Sequence, residues 1–291
     1  MWCLPSLRSP LCGSFRRASS SYIGSGQKNQ SGPTLRPNPK DPMALVTLRA
    51  PSTLDLPPGF RAVALRESGD AFAHACRTAA EEGAGTLVWV RRFDLAEFAV
   101  ILEPEAPLDE ARKAFFLGMN ATADAIAALC PPERSVSFAY PDGIRFDGGL
   151  VGGGRLGWPK RCGEDEVPDW LVFAASIRVA FSGLVEPGHA PTAAALDEEG
   201  FEGVGPSMLI ESFARFFLRL VDVWQHQGFD QVLTDYCARV DKDRPGDSLT
   251  LTPAGDLVVR PAIGDGERRS SLLAGLKAAT WLDRDTGGPK L

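Results

Sequence analysis

The fold of this chain turns on FAYPDGIRFDGGLVGGGRLG (138–157) and on the apolar run WLVFAASIRVAF (170–181) that follows it. The spacing predicts short strands around 135–140, 143–146 and 148–157, with Pro141-Asp142-Gly143 as a turn, and a further strand over 170–181. Residues 152–157 spell GxGxxG. A dinucleotide-binding turn needs a helix opening at its third glycine and an acidic residue about twenty positions on. Here Trp158-Pro159-Lys160 follows, and Ile177 and Arg178 stand at the acidic position, so that reading is rejected. A phosphate-binding P-loop is excluded as well, because no Gly-Lys-Ser/Thr is present. Glycines inside a strand mark a place where another backbone or a ligand comes close, and both readings stand.

Upstream, 68–82 predicts a helix capped by Ser68, with Ala71, Phe72, Ala75, Cys76 and Ala79 on one face and Gly83 at its end. TLVWV (86–90) and FAVIL (98–102) read as antiparallel strands, with Trp89 in the core. A long helix follows over 108–130, stopped by Pro131-Pro132. Downstream come a Pro/Gly-rich acidic loop (184–206), an amphipathic helix (208–227), a shorter helix (229–240) and a hairpin within 248–261. Helices interleaved with hairpin-joined strands indicate an α+β fold: a mixed, largely antiparallel sheet flanked by helices, plus a small C-terminal α/β-hairpin unit. The expected division is a lead at 1–42, a main domain at 43–228 and a small C-terminal domain at 229–291.

The lead differs in kind from the rest. It holds six of the 31 basic residues and one of the 37 acidic ones, so the net charge of −6 hides a body at −11. Its Ser, Pro, Gly and Arg residues carry no apolar periodicity, which suits a disordered segment. An over-extended start ahead of Met43 and an organellar transit peptide both account for it. The acidic balance argues against a general nucleic-acid-binding surface. No apolar run reaches the length of a membrane-spanning helix. The six cysteines form no CxxC pair, so no metal site is expected. Their pattern suits a reducing compartment, the cytoplasm, or the mitochondrion if the lead is a transit peptide. Cys76 and Cys130 read as small hydrophobes on helix faces. Cys162, beside Lys160 and Arg161, reads either as a loop cysteine or as a thiol of lowered pKa. His74 and His226 read as ordinary boundary residues, and His189 lies in a loop without a local partner.

The order of these elements, and 138–157 in particular, resembles the biotin/lipoate protein ligase superfamily over most of 55–260. Tyr140-Pro141-Asp142-Gly143-Ile144 stands where that family has Trp-Pro-Asn-Asp and an apolar residue. Val151-Gly152-Gly153-Gly154 stands at its glycine strand, and Ala174-Ala175-Ser176-Ile177-Arg178-Val179 at its later Gly-Ile-Gly-Ile-Asn-like strand. The resemblance implies a ligase or acyltransferase that binds biotin, lipoate or octanoate, uses ATP and Mg, and modifies a lysine on a biotinyl or lipoyl carrier domain. It also departs from the pattern. Leu150 stands at the family's lysine, Asp142 at its Asn, Gly143 at its Asp and Arg178 at its later Asn. Residues 85–92 read as a strand ending in two arginines, where the family has a basic glycine-rich loop.

Neither a nucleophile nor a general base is identified, so the catalytic residues stay unassigned. The candidate ligand-binding residues are Arg91, Asp142, Gly152, Gly153, Gly154, Arg155 and Arg178. Arginine suits them because its planar fork binds a carboxylate or phosphate through two hydrogen bonds. Each arginine has a plain alternative as a surface charge, and Asp142 as a turn residue. Three functions follow: a divergent ligase acting on a small carboxylate, a binding module of the same fold without ATP chemistry, and a structural protein with no pocket.

Overall fold

A strand sends alternate side chains to opposite faces, so a sheet buried on both faces needs apolar residues at every position of its central strands. The computed structural model, which describes residues 53–182, 192–264 and 266–291, has such a sheet. Its strands are β1 (Arg61–Leu65), β2 (Thr86–Val90), β3 (Leu95–Leu102), β4 (Val136–Ala139), β5 (Gly143–Phe146), β6 (Gly149–Gly157) and β7 (Leu171–Arg178), in the order β1-β2-β3-β7-β6-β5-β4. β1 and β2 run parallel and every other neighbouring pair antiparallel. All eight residues of central β7 are buried. The mixed, largely antiparallel sheet expected from the sequence is therefore present. The lead and the loop around His189 lie outside the described residues.

The two faces are packed differently. On one lie α3 (Ala114–Leu129) and α4 (Pro206–Gln227). Phe115, Phe173, Phe213 and Phe217 meet here, with the Phe173 and Phe213 rings stacked 5.8 Å apart. Gly118 of α3 sits against the Phe173 ring so closely that a methyl group there would overlap it. On the other face lies α1 (Ala71–Glu82), whose Ala71, Ala75 and Ala79 rest on Val88, Val90, Ala99, Ile101, Val172 and Ala174. Alanines four apart make a narrow ridge that lets the helix lie close to the sheet.

Several boundaries move from their expected places. Asp70, not Ser68, caps α1, its carboxylate accepting from the Ala73 N–H at 2.8 Å. Gly83 closes that helix in a positive-φ conformation as expected. The helix expected over 108–130 breaks into α2 (Leu108–Ala111) and α3. Arg112 at the break is drawn to Glu164 and Trp158, and tight turns replace α-helical bonds there. The C-terminal part contributes α5 (Asp230–Arg239), a three-stranded sheet of β8 (Ser248–Leu251), β9 (Leu257–Arg260) and β10 (Arg268–Ser270), and α6 (Leu272–Ala278). It is joined to α3 and to the β4–β5 turn. Buried Asn120 donates to the Val232 carbonyl at 2.8 Å, and the Tyr236 hydroxyl donates to the Pro141 carbonyl at 2.6 Å. Among the described residues no helix is long and apolar enough to cross a membrane.

Candidate functional site

The α1 face of the sheet becomes small and polar toward its centre. Glu97 of β3 pairs with Ser176 of β7, which pairs with Gly153 of β6, which pairs with Gly143 of β5. Short side chains in adjacent strands leave a hollow. α1 borders it on one side. On the other stands a C-terminal hairpin over 281–290, closed by Lys290 N–H to the Trp281 carbonyl at 2.8 Å and Asp283 N–H to the Gly288 carbonyl at 2.9 Å. Between them is a cavity of about 250 Å³.

Arg155 of β6 faces this cavity. Its guanidinium lies over the Phe72 ring at 3.9 Å and has no hydrogen-bond acceptor among the described residues. Burial lowers its pKa, and Asp70 and Glu97 work against that shift. Neither acid pairs with it: Asp70 caps α1, and the Glu97 carboxylate accepts from the Ala71 N–H at 2.8 Å. Burial raises the Glu97 pKa, and the Ala71 bond opposes this. The two carboxylates are held by the first turn of α1, where the helix dipole favours negative charge.

Other candidates are placed elsewhere. Arg91 does not line the cavity; its neighbour Arg92 does, and Arg92 is committed to Asp94 by two hydrogen bonds of 2.9 and 2.7 Å. Burial of Asp94 opposes its ionisation, yet the Arg92 bonds hold its pKa below the usual carboxylate range. Arg178, 5 % exposed, donates to the carbonyls of Leu150, Ala194, Pro289 and Lys290. Its charge is spent on main-chain oxygens that fasten the hairpin to the sheet.

The glycines of β6 answer to different neighbours. A methyl group on Gly154 would strike Met119 and Phe115, and one on Gly152 would strike the Ser176 carbonyl. On Gly153 it would overlap the Trp281 ring and the Asp142 carbonyl oxygen. Gly153 thus lies under a side chain from much later in the sequence. Asp142 is 2 % exposed, and burial pushes its carboxyl up to about 7. Its own N–H and the nearby Trp281 indole pull the other way. The indole is not placed for a hydrogen bond, so Asp142 Oδ2 and Trp281 Nε1 are both buried without a partner. Cys162 is not activated: partial burial and then Glu166, Asp169 and Glu164 raise its thiol pKa. Among the described residues no three His, Cys, Asp or Glu side chains converge to hold a metal ion.

Sequence reasoning missed the hairpin. Its Trp281, Leu282, Arg284 and Asp285 line the cavity, in a segment rich in Gly and Asp that has no periodicity. The available signal was Trp281 itself, since a lone tryptophan in a polar tail needs an apolar surface to cover it.

A mixed seven-stranded sheet, with a glycine strand beside its centre, a small cavity at the start of α1 and a small C-terminal sheet, defines a protein of the biotin protein ligase fold. A profile described as the biotin/lipoate A/B protein ligase family matches residues 56–238, and the chain belongs to that family. Among solved structures, a biotin protein ligase-like protein of unknown function from Silicibacter sp. TM1040 is 25 % identical, with a TM-score of 0.65 over 77 % of this chain and 99 % of that one. The biotin protein ligase of Aquifex aeolicus is 14 % identical, with a TM-score of 0.54 over 72 % of this chain and 100 % of that one. Its complex with biotin and ATP is 13 % identical, with a TM-score of 0.54 over 72 % of this chain and 94 % of that one. No match is found among curated proteins.

Proposed function

We propose that this chain binds a small carboxylic acid of the biotin, lipoate or octanoate kind in the cavity between α1 and the C-terminal hairpin. The observation that carries this reading is Arg155: a half-buried guanidinium on the glycine strand that faces a cavity and has no acceptor among the described residues. A buried cation without a hydrogen-bonded counter-charge is costly, and a carboxylate is a good partner for it. Phe72 lies under the guanidinium, its ring centroid 3.9 Å away.

The nucleotide is a separate matter. The cavity, about 250 Å³, is smaller than the range of about 300–1,000 Å³ that encloses drug-sized ligands. Arg92 is already paired with Asp94, Glu97 is tied to α1, and Leu150 stands at the family's lysine. The residues present suit one small acid and do not suit an acid together with a nucleotide–magnesium complex.

In its enzymatic form the proposal adds transfer of the acyl group to a lysine on a biotinyl or lipoyl carrier domain. In its binding form the protein holds the acid, or the acylated carrier, without activating it. Leu150 and the Arg92–Asp94 pair favour the binding form. Thermal-shift titration with biotin, lipoate and octanoate, each with and without ATP and Mg, tests the site. An acid at one hundred times its Kd adds about 2.7 kcal/mol of stability. No shift with any of the three acids rejects the reading. Mass spectrometry of a carrier domain incubated with protein, acid and ATP then separates the two forms: an acylated lysine establishes transfer, and unmodified carrier with a bound acid establishes binding alone.

A further inference from the structure

The C-terminal hairpin does more than cover Gly153. Trp281 is 3 % exposed and anchors one end of the hairpin on the glycine strand. Arg178 anchors the other through the Pro289 and Lys290 carbonyls, the latter at 2.9 Å. The tip between these anchors faces the cavity and carries Arg284. This side chain has no acceptor among the described residues, and neither has Arg155. The charge of Arg284 disfavours that of Arg155.

Asp70 and Glu97 favour the charge on Arg155 without forming an ion pair with it. Asp70 and Glu97 accept from α1 amides, and Arg92 and Asp94 satisfy each other. Asp285, next to Arg284 at the exposed tip, makes no hydrogen bond through its carboxylate among the described residues. Two like charges far apart in the sequence line one hollow, and neither pairs with an acid among the described residues. Fixing them there by two separate anchors makes physical sense if an anion belongs between them.

We propose that the C-terminal hairpin is a wall of the ligand site, and that Arg284 on its tip joins Arg155 in holding the anionic group of the bound acid. This rests on the reading of the cavity as an acid site and adds to it the second half of the anion-binding pair. Selection for acid over uncharged ligand then comes from a residue far from the glycine strand in sequence.

The test is isothermal titration of the full chain with octanoate and octanamide, and with biotin and biotinamide, comparing wild type with Arg284→Ala and Arg284→Lys. Arg284 is exposed, so these substitutions leave the core intact. The expected result is that wild type prefers acid over amide by about tenfold, Arg284→Ala lowers that preference to about threefold with amide affinity unchanged because Arg155 remains, and Arg284→Lys restores part of it. A preference in Arg284→Ala as large as that of wild type overturns the proposal and leaves the acid site standing. Equal binding of acid and amide by wild type also overturns it. If wild type binds neither, the acid-site reading fails, and inorganic phosphate reads the arginine pair by itself. Salt-sensitive phosphate binding that falls about fivefold in Arg284→Ala keeps the pair as an anion site, and the absence of phosphate binding overturns it.

Discussion

The two faces of the central sheet use the same strands to opposite ends. Under α3 and α4 the side chains are large and interlocked: Phe173 of β7 stacks on Phe213 and fits against Gly118. Under α1 and the C-terminal hairpin the same strand presents Ala174, Ser176 and Arg178, and β6 presents Gly153 and Arg155. The first face is built for stability. The second gives up packing for a cavity and holds a carboxyl, an indole and a guanidinium that have no hydrogen-bond partner among the described residues. Such polar groups are costly when buried, and they set this face, where the proposed acid site lies, apart from the packed one.

The sharpest way to break this contrast is to damage the packed face. Phe173→Ala leaves a void between α3 and α4, and a loss of about 3–5 kcal/mol is expected in urea denaturation. A loss below about 1 kcal/mol means that the two faces do not differ as described.

Asp142 tests the other face through pH. Its carboxyl is near 7 in the folded chain against an ordinary value of 3.8, so between these values the folded state holds a proton that the unfolded state has released. Stability from this group is therefore fully present below about pH 4 and is lost as the pH rises through about 7, on the order of 4 kcal/mol in all. In Asp142→Asn the decline from this group vanishes, so the variant melts above wild type at pH 8 and close to it at pH 4. Parallel melting curves for both proteins across that range count against a buried neutral Asp142.

Arg178→Ala strips a donor from four carbonyls. The expected cost is about 1–3 kcal/mol, with faster hydrogen exchange at Gly287 and Lys290 than elsewhere in the chain. Exchange that stays slow there means that Trp281 alone holds the hairpin. The smallest effect is that of Asp70→Ala, which removes the α1 cap and costs about 1 kcal/mol. If Ser68→Ala costs more, the cap assignment is wrong.

How far the sequence could be read follows from how local each feature is. Strands β2, β3 and β7 show as nearly continuous apolar runs because both their faces are buried, β5 and β6 show through the turn and glycines that bound them, and helix α4 shows through its apolar stripe. β1 is not among the expected strands: it is a five-residue edge strand, mostly exposed. The cap of α1 lay two residues from the one expected because Ser68 and Asp70 are both capping residue types, and backbone geometry at the helix start decides between them. Of the candidate site residues, Arg155 lies in the cavity, Gly153 lies under Trp281, Arg91 gives way to Arg92, and Arg178 turns to the main chain. A one-residue step changes the face or direction of a side chain, and spacing alone does not say which carbonyls reach a guanidinium.

By itself, then, the sequence determined the α+β class, the glycine strand, the absence of a dinucleotide turn and the family. These are carried by period, turn chemistry and residues close together along the chain. Tertiary structure decided that Trp281 covers Gly153, that Arg178 clasps the last residues and that Arg155 and Arg284 share one hollow. These pairings join positions more than a hundred residues apart. They depend on where the hairpin comes to rest, which its own residues fix only once the sheet exists to receive it.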